Sequence, residues 1–333
     1  MILERRINMI KKKKKKYRLK SSFKRFLIYC TFFLIVTIYA IHEAIPIYKE
    51  FKYKDTTEYK LTEVGYSKEE AQKFLKILDE EKIKFLLENK YNETYYPIIT
   101  EKYYLNKNFS KYVEYKEYHE DTSYKDVIAI VNVNANLGWY NASFESNTND
   151  NYLILVNKFY HLNDTYKRDD LKRISLEYSY DNNSAAEIVI DNFNIMRKAI
   201  LEELDIHLMI NSSYRSYKDQ EDTYNEYKKI SLRYADTYAS RPGYSEHQTG
   251  LSIDLSSLEN KSIKAFTESQ EYQWLINNSY KYGFILRYPK DKEYITGYDT
   301  ERCHFRYVGK DVAKIIHDED ITFDEYYAYY IAK

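Results

Sequence analysis

Residues 26–41, FLIYCTFFLIVTIYAI, run for 16 positions without a charge, and the 25 residues before them hold 12 Lys and Arg against one acid, Glu4. This pairing decides where the rest of the chain can fold. The run is longer than a signal-peptide core of about 7–15 residues. It is slightly short of the about 20 residues that span a bilayer as a helix. Cations on its N-terminal side place residues 1–25 in the cytoplasm and the body of the chain outside, by the positive-inside rule. Ala40 and Ala44 are interrupted by His42 and Glu43, so no small-x-small cleavage site follows. A core helix fits poorly behind so many cations. The reading is an uncleaved signal-anchor over 26–42, which predicts a single-pass protein of the cell membrane.

The balance of charge excludes one class of partner. The chain is formally neutral, with 51 Lys and Arg and 51 Asp and Glu. Removing residues 1–25 leaves 39 cations against 50 acids. An acidic body argues against nucleic acid, and the Lys11–Lys16 run belongs with the anchor that follows it. The 40 tyrosines accompany many Lys, Asn and Ile, as A/T-rich codons would produce, and carry no binding function as a class. Cys30 lies in the apolar run and Cys303 far downstream, so no internal disulfide is expected.

Beyond residue 42 a polar stalk and small helical region extend to residue 125. Ser67 and Glu70 form a capping box, and Phe74, Leu75, Leu78, Phe85 and Leu86 follow a helical period. The main domain, 126–333, opens on VIAIVNVNA (127–135), whose β-branched content predicts a strand. A helix is expected from Ser184, with Glu187 as its box partner and Val189, Phe193, Met196 and Ile200 on its buried face. Strands are expected at 206–211, 252–255, FILRYP and HFRYV. Helices are expected at 218–230, at 271–282 before Gly283, at 311–317 and at 323–332. Strands and helices mix without a βαβ repeat, which predicts α+β. The chain has no GxGxxG, P-loop or GxSxG motif.

The stretch SRPGYSEHQTGLSIDLSS (240–257) concentrates Pro242, Gly243 and Gly250 in a chain of 4 Pro and 7 Gly. In LSIDL, Leu251, Ile253 and Leu255 point one way and Asp254 the other. His247, on the turn before, can reach over the same surface as Asp254. Such a pair suits a metal, and equally a capped turn beside a loop hydrogen bond. Further along, Glu301 stands three residues before His304. A catalytic zinc site has three protein ligands and one open position. His247, Asp254 and His304 would make such a set and leave Glu301 free as a base, although this spacing is common by chance.

Three segments then coincide. SSYRSYKDQ (212–220), RPGYSEHQTGLSIDL (241–255) and YGFILRYPKDKEYITGYDTERCHFRYVG (282–309) resemble, in order and distance, the VanY-type zinc D-alanyl-D-alanine carboxypeptidases, a family that includes L,D-carboxypeptidases of peptidoglycan. The resemblance covers about residues 127–309. It implies a bacterial enzyme with an antiparallel sheet and flanking helices, the fold shared with the Hedgehog signalling domain, here preceded by a transmembrane helix. It implies one catalytic zinc on His247, Asp254 and His304, with Glu301 as catalytic base. It implies that Arg215 binds the substrate's terminal carboxylate, with Gln220 and Ser245 as neighbouring pocket positions.

The implied activity is removal of the C-terminal D-Ala of peptidoglycan stem peptides outside the cell. The alternatives are an L,D-carboxypeptidase acting on tetrapeptides, an endopeptidase with no need of Arg215, and a non-catalytic wall-binding module on the same fold. Two positions depart from the family pattern. Arg302 and Cys303 stand where Pro-Trp is usual, and Ser213 stands where Gly is common. Cys303, next to His304 on a strand, is expected to point to the opposite face.

Overall fold

The structure is a computed structural model that describes residues 20–149 and 151–332, so the Lys11–Lys16 run lies outside the described residues. The chain divides into two compact units, Met1–Asn92 and Glu93–Lys333. In the first, Ser21–Lys54 is one 34-residue helix with no buried residue, long and apolar enough to cross a membrane. Phe26, Phe33 and Ile38 all face outward on it. Three short helices follow, Thr57–Val64, Lys68–Ile77 and Glu80–Glu88. The Ser67–Glu70 capping box is present at the second of these. Leu61, Phe74 and Leu86 are fully buried among them.

The second unit is α+β, as expected. Its main sheet has four strands, named here in chain order: β1 Leu208–Ser212, β2 Ser252–Ser257, β3 Phe284–Tyr288 and β4 Glu301–Tyr307. Their spatial order is β1-β2-β4-β3, and every neighbouring pair is antiparallel. Side chains alternate between the two faces. Leu251, Ile253, Leu255, Phe284 and Phe305 fill one face, against Val189, Phe193, Met196 and Ile200 of the Glu187–Leu204 helix. The other face carries Asp254, His304, Arg287 and Arg306.

Two expectations fail here. Residues 127–135 do not form a strand; Tyr124–Asn132 is an α-helix. Ser123 caps it by accepting a hydrogen bond from the Asp126 N–H. Val127 to Val131 are all buried, and five consecutive buried residues show no helical period of their own. The other helix begins at Glu187 rather than after a Ser184 cap. Ser184–Ala186 pairs instead with Leu171–Arg173, and the Ser184 carbonyl accepts from the Tyr214 N–H and the Ser213 hydroxyl. A cap serine competes for the same backbone partners that this strand uses.

The turn before β2 is set by its glycines. Gly250 has φ +67° and Gly243 φ +86°, both left-handed. The Gly243 carbonyl accepts from the Leu162 N–H at 2.9 Å, and a Cβ on Gly243 would lie 2.5 Å from the Leu162 carbonyl oxygen. Backbone meets backbone there, so neither side can yield cheaply. Gly243→Ala is expected to destabilise the full-length protein by about 2 kcal/mol or more, read from chemical denaturation in detergent. A loss under about 0.5 kcal/mol, the range of an ordinary surface change, would contradict this account of the turn.

Candidate active site

The antiparallel pairing of β2 with β4 sets Asp254 directly opposite His304. Both therefore project from the same face. His247 comes from the one-turn 3-10 segment Glu246–Thr249, which Gly250 ends by turning the chain into β2. One ligand atom from each of His247, Asp254 and His304 lies within 4.8 Å of the other two. The Asp254 carboxylate stands between the imidazoles, 3.4 Å from His247 Nε2 and 3.0 Å from His304 Nδ1. The two rings meet edge to face at 4.9 Å.

The far nitrogens settle which edges face the centre. His247 Nδ1 donates to the Ser213 carbonyl at 2.6 Å, which leaves Nε2 as its free electron pair. His304 turns Nδ1 toward Asp254 and Glu301, and its Nε2 lies 3.5 Å from a Glu246 carboxylate oxygen. Burial pulls His247 down to about 4 against the opposing pull of Asp254, so this imidazole is neutral and able to donate a pair. Burial would raise Asp254, but the flanking His247 and the hydrogen-bonded His304 hold it at about 2. Burial would lower His304, yet its hydrogen bond to Asp254 and the nearby Glu246 carboxylate lift it to about 10. Acids that favour a proton at that nitrogen favour any cation there, and a metal displaces the proton. Two imidazoles and one carboxylate are a donor set suited to zinc, so the residues present fit one.

Glu301 begins β4, with a carboxylate oxygen 3.8 Å from His304 Nδ1. Its side chain keeps 47% of its surface exposed, toward the cleft. Desolvation of the carboxyl raises it above the ordinary carboxylate range, and the Asp254 and Glu246 charges add to this while His304 opposes. The cleft encloses about 950 Å³ and also contains Arg215, Gln220 and Ser245, so all seven expected residues meet in one place. Arg215 donates to the Gln220 side-chain oxygen at 2.9 Å, and Gln220 in turn donates to the Ser240 carbonyl at 2.7 Å. Buried Gln220 thus orients the guanidinium. Tyr288 and Tyr298 also line the cleft, and the Tyr288 ring packs 5.2 Å from that of His304.

Cys303 is a half-buried free thiol, pushed up to about 12 by burial and by the Asp254 and Glu301 charges. The converging ligand set does not include it. The other five histidines stand apart. His207 pairs with Glu259, His317 with Asp318 and His161 with Ser143, while His119 stacks on Tyr115 and His42 lies exposed on the long N-terminal helix.

Sequence reasoning missed the charged layer beneath the site. Glu246, Arg287, Arg306 and Asp324 are all buried. Arg287 donates to Glu246 at 2.7 Å and to Asp324 at 2.6 Å, and Arg306 pairs with Glu246 at 2.8 Å. Their signal was an arginine inside each of two otherwise apolar strands, FILRY and HFRYV, since arginine is almost never fully buried unless paired. Glu246 had no separate signal, because it is flanked by the pocket residue Ser245 and the ligand His247.

The chain resembles known carboxypeptidases over this region. The family model VanY, D-alanyl-D-alanine carboxypeptidase, matches residues 182–310. A putative carboxypeptidase of Bacillus subtilis (strain 168), YodJ, is 40% identical over 189 residues, 54% of this chain and 67% of that protein. The bifunctional D-Ala-D-Ala dipeptidase and D-Ala-D-Ala carboxypeptidase VanXYC of Enterococcus gallinarum is 39% identical over 133 residues, 38% of this chain and 68% of that protein. The solved structure of the LdcB LD-carboxypeptidase superposes with a TM-score of 0.53 at 37% identity, covering 56% of this chain and 90% of that one. From the match to both ordered motifs and fold, this chain belongs to the VanY family of D-alanyl-D-alanine carboxypeptidases.

Proposed function

We propose that this protein is a membrane-anchored, extracytoplasmic zinc carboxypeptidase that removes the C-terminal D-Ala of peptidoglycan stem peptides. One observation carries the reading: His247, Asp254 and His304 converge in a cleft that also holds Glu301 and Arg215. A zinc ion held by those three residues would lower the pKa of a water to about 7 and polarise the scissile carbonyl. Glu301 takes the proton from that water and passes it to the departing D-Ala amine. Its raised pKa suits this, because a base works best when poised near the working pH. Arg215 holds the terminal carboxylate through paired N–H donors, and Gln220 keeps the fork aimed. An exopeptidase needs such a fixed cation, since the free C-terminus is what it must recognise. Nucleic acid has no place in this reading.

The Ser21–Lys54 helix supports the anchor. With cations before it, the catalytic unit faces the cell wall. A second reading is favoured by the likeness to the LD-carboxypeptidase structure, namely cleavage of tetrapeptides rather than pentapeptides. The hydrolytic chemistry is the same, and the residue before the scissile bond changes from D-Ala to the L-residue that precedes it in the stem.

Three outcomes are expected. Glu301→Gln binds zinc like the wild type and loses about 10²- to 10⁴-fold in D-Ala release, measured by metal analysis beside product chromatography; release at the wild-type rate would remove Glu301 as base. The wild-type chain releases D-Ala from a pentapeptide and spares the same peptide with an amidated C-terminus; Arg215→Ala loses that discrimination. Faster release from a tetrapeptide would transfer the assignment to the second reading, and equal cleavage of the amidated peptide would contradict any exopeptidase. In bacterial cells, protease added outside should degrade the C-terminal unit while the protein stays with the membrane fraction; a soluble, protected protein would refute the anchor.

A further inference from the structure

The layer under the site contains a carboxylate with one oxygen committed and one aimed at a ligand. Glu246 Oε1 accepts a hydrogen bond from Arg287 Nε at 2.7 Å and forms an ion pair with Arg306 Nη1 at 2.8 Å, a contact that is not aligned as a hydrogen bond. Glu246 Oε2 has no hydrogen-bond partner within 3.5 Å geometry, and neither does His304 Nε2. Both atoms are buried, and they face each other at 3.5 Å. A buried donor and a buried acceptor that lack other partners are each other's partner, since leaving both unmade is costly. We propose that Glu246 is the positioning residue of the metal centre: it accepts the Nε2 proton of His304 and so presents Nδ1 to the metal.

The surroundings show why a carboxylate is needed and why it cannot turn away. Arg287 and Arg306 are fully buried cations on the face of the sheet that bears the site. Asp324 takes the rest of Arg287 with two hydrogen bonds, at 2.6 and 3.2 Å, and accepts from the Asn157 side chain at 2.7 Å. Arg306 spends its other donors on the Tyr152, Ile154 and Tyr307 carbonyls. Two cations then face two carboxylates, so the layer is balanced in itself, and a metal on Nδ1 would take the place of the second proton of His304. A neutral imidazole with its proton on Nε2 is the tautomer that ligates through Nδ1, and an outer carboxylate holding that proton strengthens a metal-bound histidine. Asn157 and Asp324 lie outside residues 182–310, so parts of the chain beyond the family match complete the buried layer.

This inference rests on the zinc reading, and its test separates the two. Full-length protein in detergent is stripped of metal, and zinc affinity is measured by competition with a chromophoric chelator. Glu246→Gln is expected to weaken zinc binding about 10- to 100-fold. Asp324→Asn breaks the same buried layer one step further from His304. It should lower the denaturation midpoint of the metal-free protein as Glu246→Gln does, and keep zinc affinity close to wild type. A purely structural role would weaken zinc equally in both variants, and that result overturns the proposal, as does wild-type affinity in Glu246→Gln. If Glu246→Gln does not fold, the zinc-loaded wild type decides through ¹⁵N-histidine NMR. His304 is expected to show a metal-bound Nδ1 and a protonated, hydrogen-bonded Nε2, and ligation through Nε2 overturns the proposal. A wild type that binds no zinc overturns this inference and the zinc reading together.

Discussion

The register of β2 against β4 is the constraint on which the rest depends. Asp254 faces His304 because Ile253 faces Phe305, and that apolar pair is held by the Glu187–Leu204 helix on the other side of the sheet. A slip of one residue would turn the ligands into the core and the core residues into the cleft. The hydrophobic face therefore specifies the face on which Asp254 and His304 meet. The third ligand is added by a turn rather than by the sheet, and two left-handed glycines bring it there. Its carbonyl neighbours close the arrangement: His247 O accepts from the Arg215 N–H, and Ser213 O accepts from His247 Nδ1. One short stretch thus couples His247 to the segment that carries Arg215.

How much of this was legible varied with the physics. The residues of the site could be read because each is a chemically distinctive side chain in an ordered motif. The strands could be read because LSIDL alternates and FILRYP is a short apolar run ended by a proline. The helix at 124–132 could not, since five consecutive buried residues show neither period, and β-branched content then favours the wrong element. The Ser184 cap was misplaced because serine serves a helix start and a strand equally well until its carbonyl's partners are known. The charged layer stayed hidden for another reason. Arg287, Arg306, Glu246 and Asp324 are spread over about eighty residues, and only the fold brings them together. Removing one member of such a layer strands the others, at a cost of about 3–5 kcal/mol.

The departure from the family at residues 302–303 becomes concrete in the structure. A register irregularity at the start of β4 leaves Cys303 lining the same cleft as His304, against the expectation that it faces the other way, and its thiol is raised well out of the reactive range. Arg302 is exposed at the cleft, where the family pattern has a proline. The usual tryptophan wall is therefore replaced by a small, unreactive side chain beside a cation. Tyr288 and Tyr298 supply the aromatic surface that remains near the ligands. Ser213, where glycine is common, is also explained. Its hydroxyl donates to the Ser184 carbonyl at 2.7 Å, which ties down the backbone whose carbonyl orients His247.

The central claim is that this cleft hydrolyses a terminal peptide bond with a metal held by His247, Asp254 and His304. The most direct measurement is mass spectrometry of a defined stem pentapeptide incubated with the full-length protein as purified, after chelation, and after return of one equivalent of zinc. The account predicts loss of a single D-Ala, abolished by the chelator and restored by zinc. Loss of D-Ala that persists undiminished in protein shown to be free of metal would contradict it.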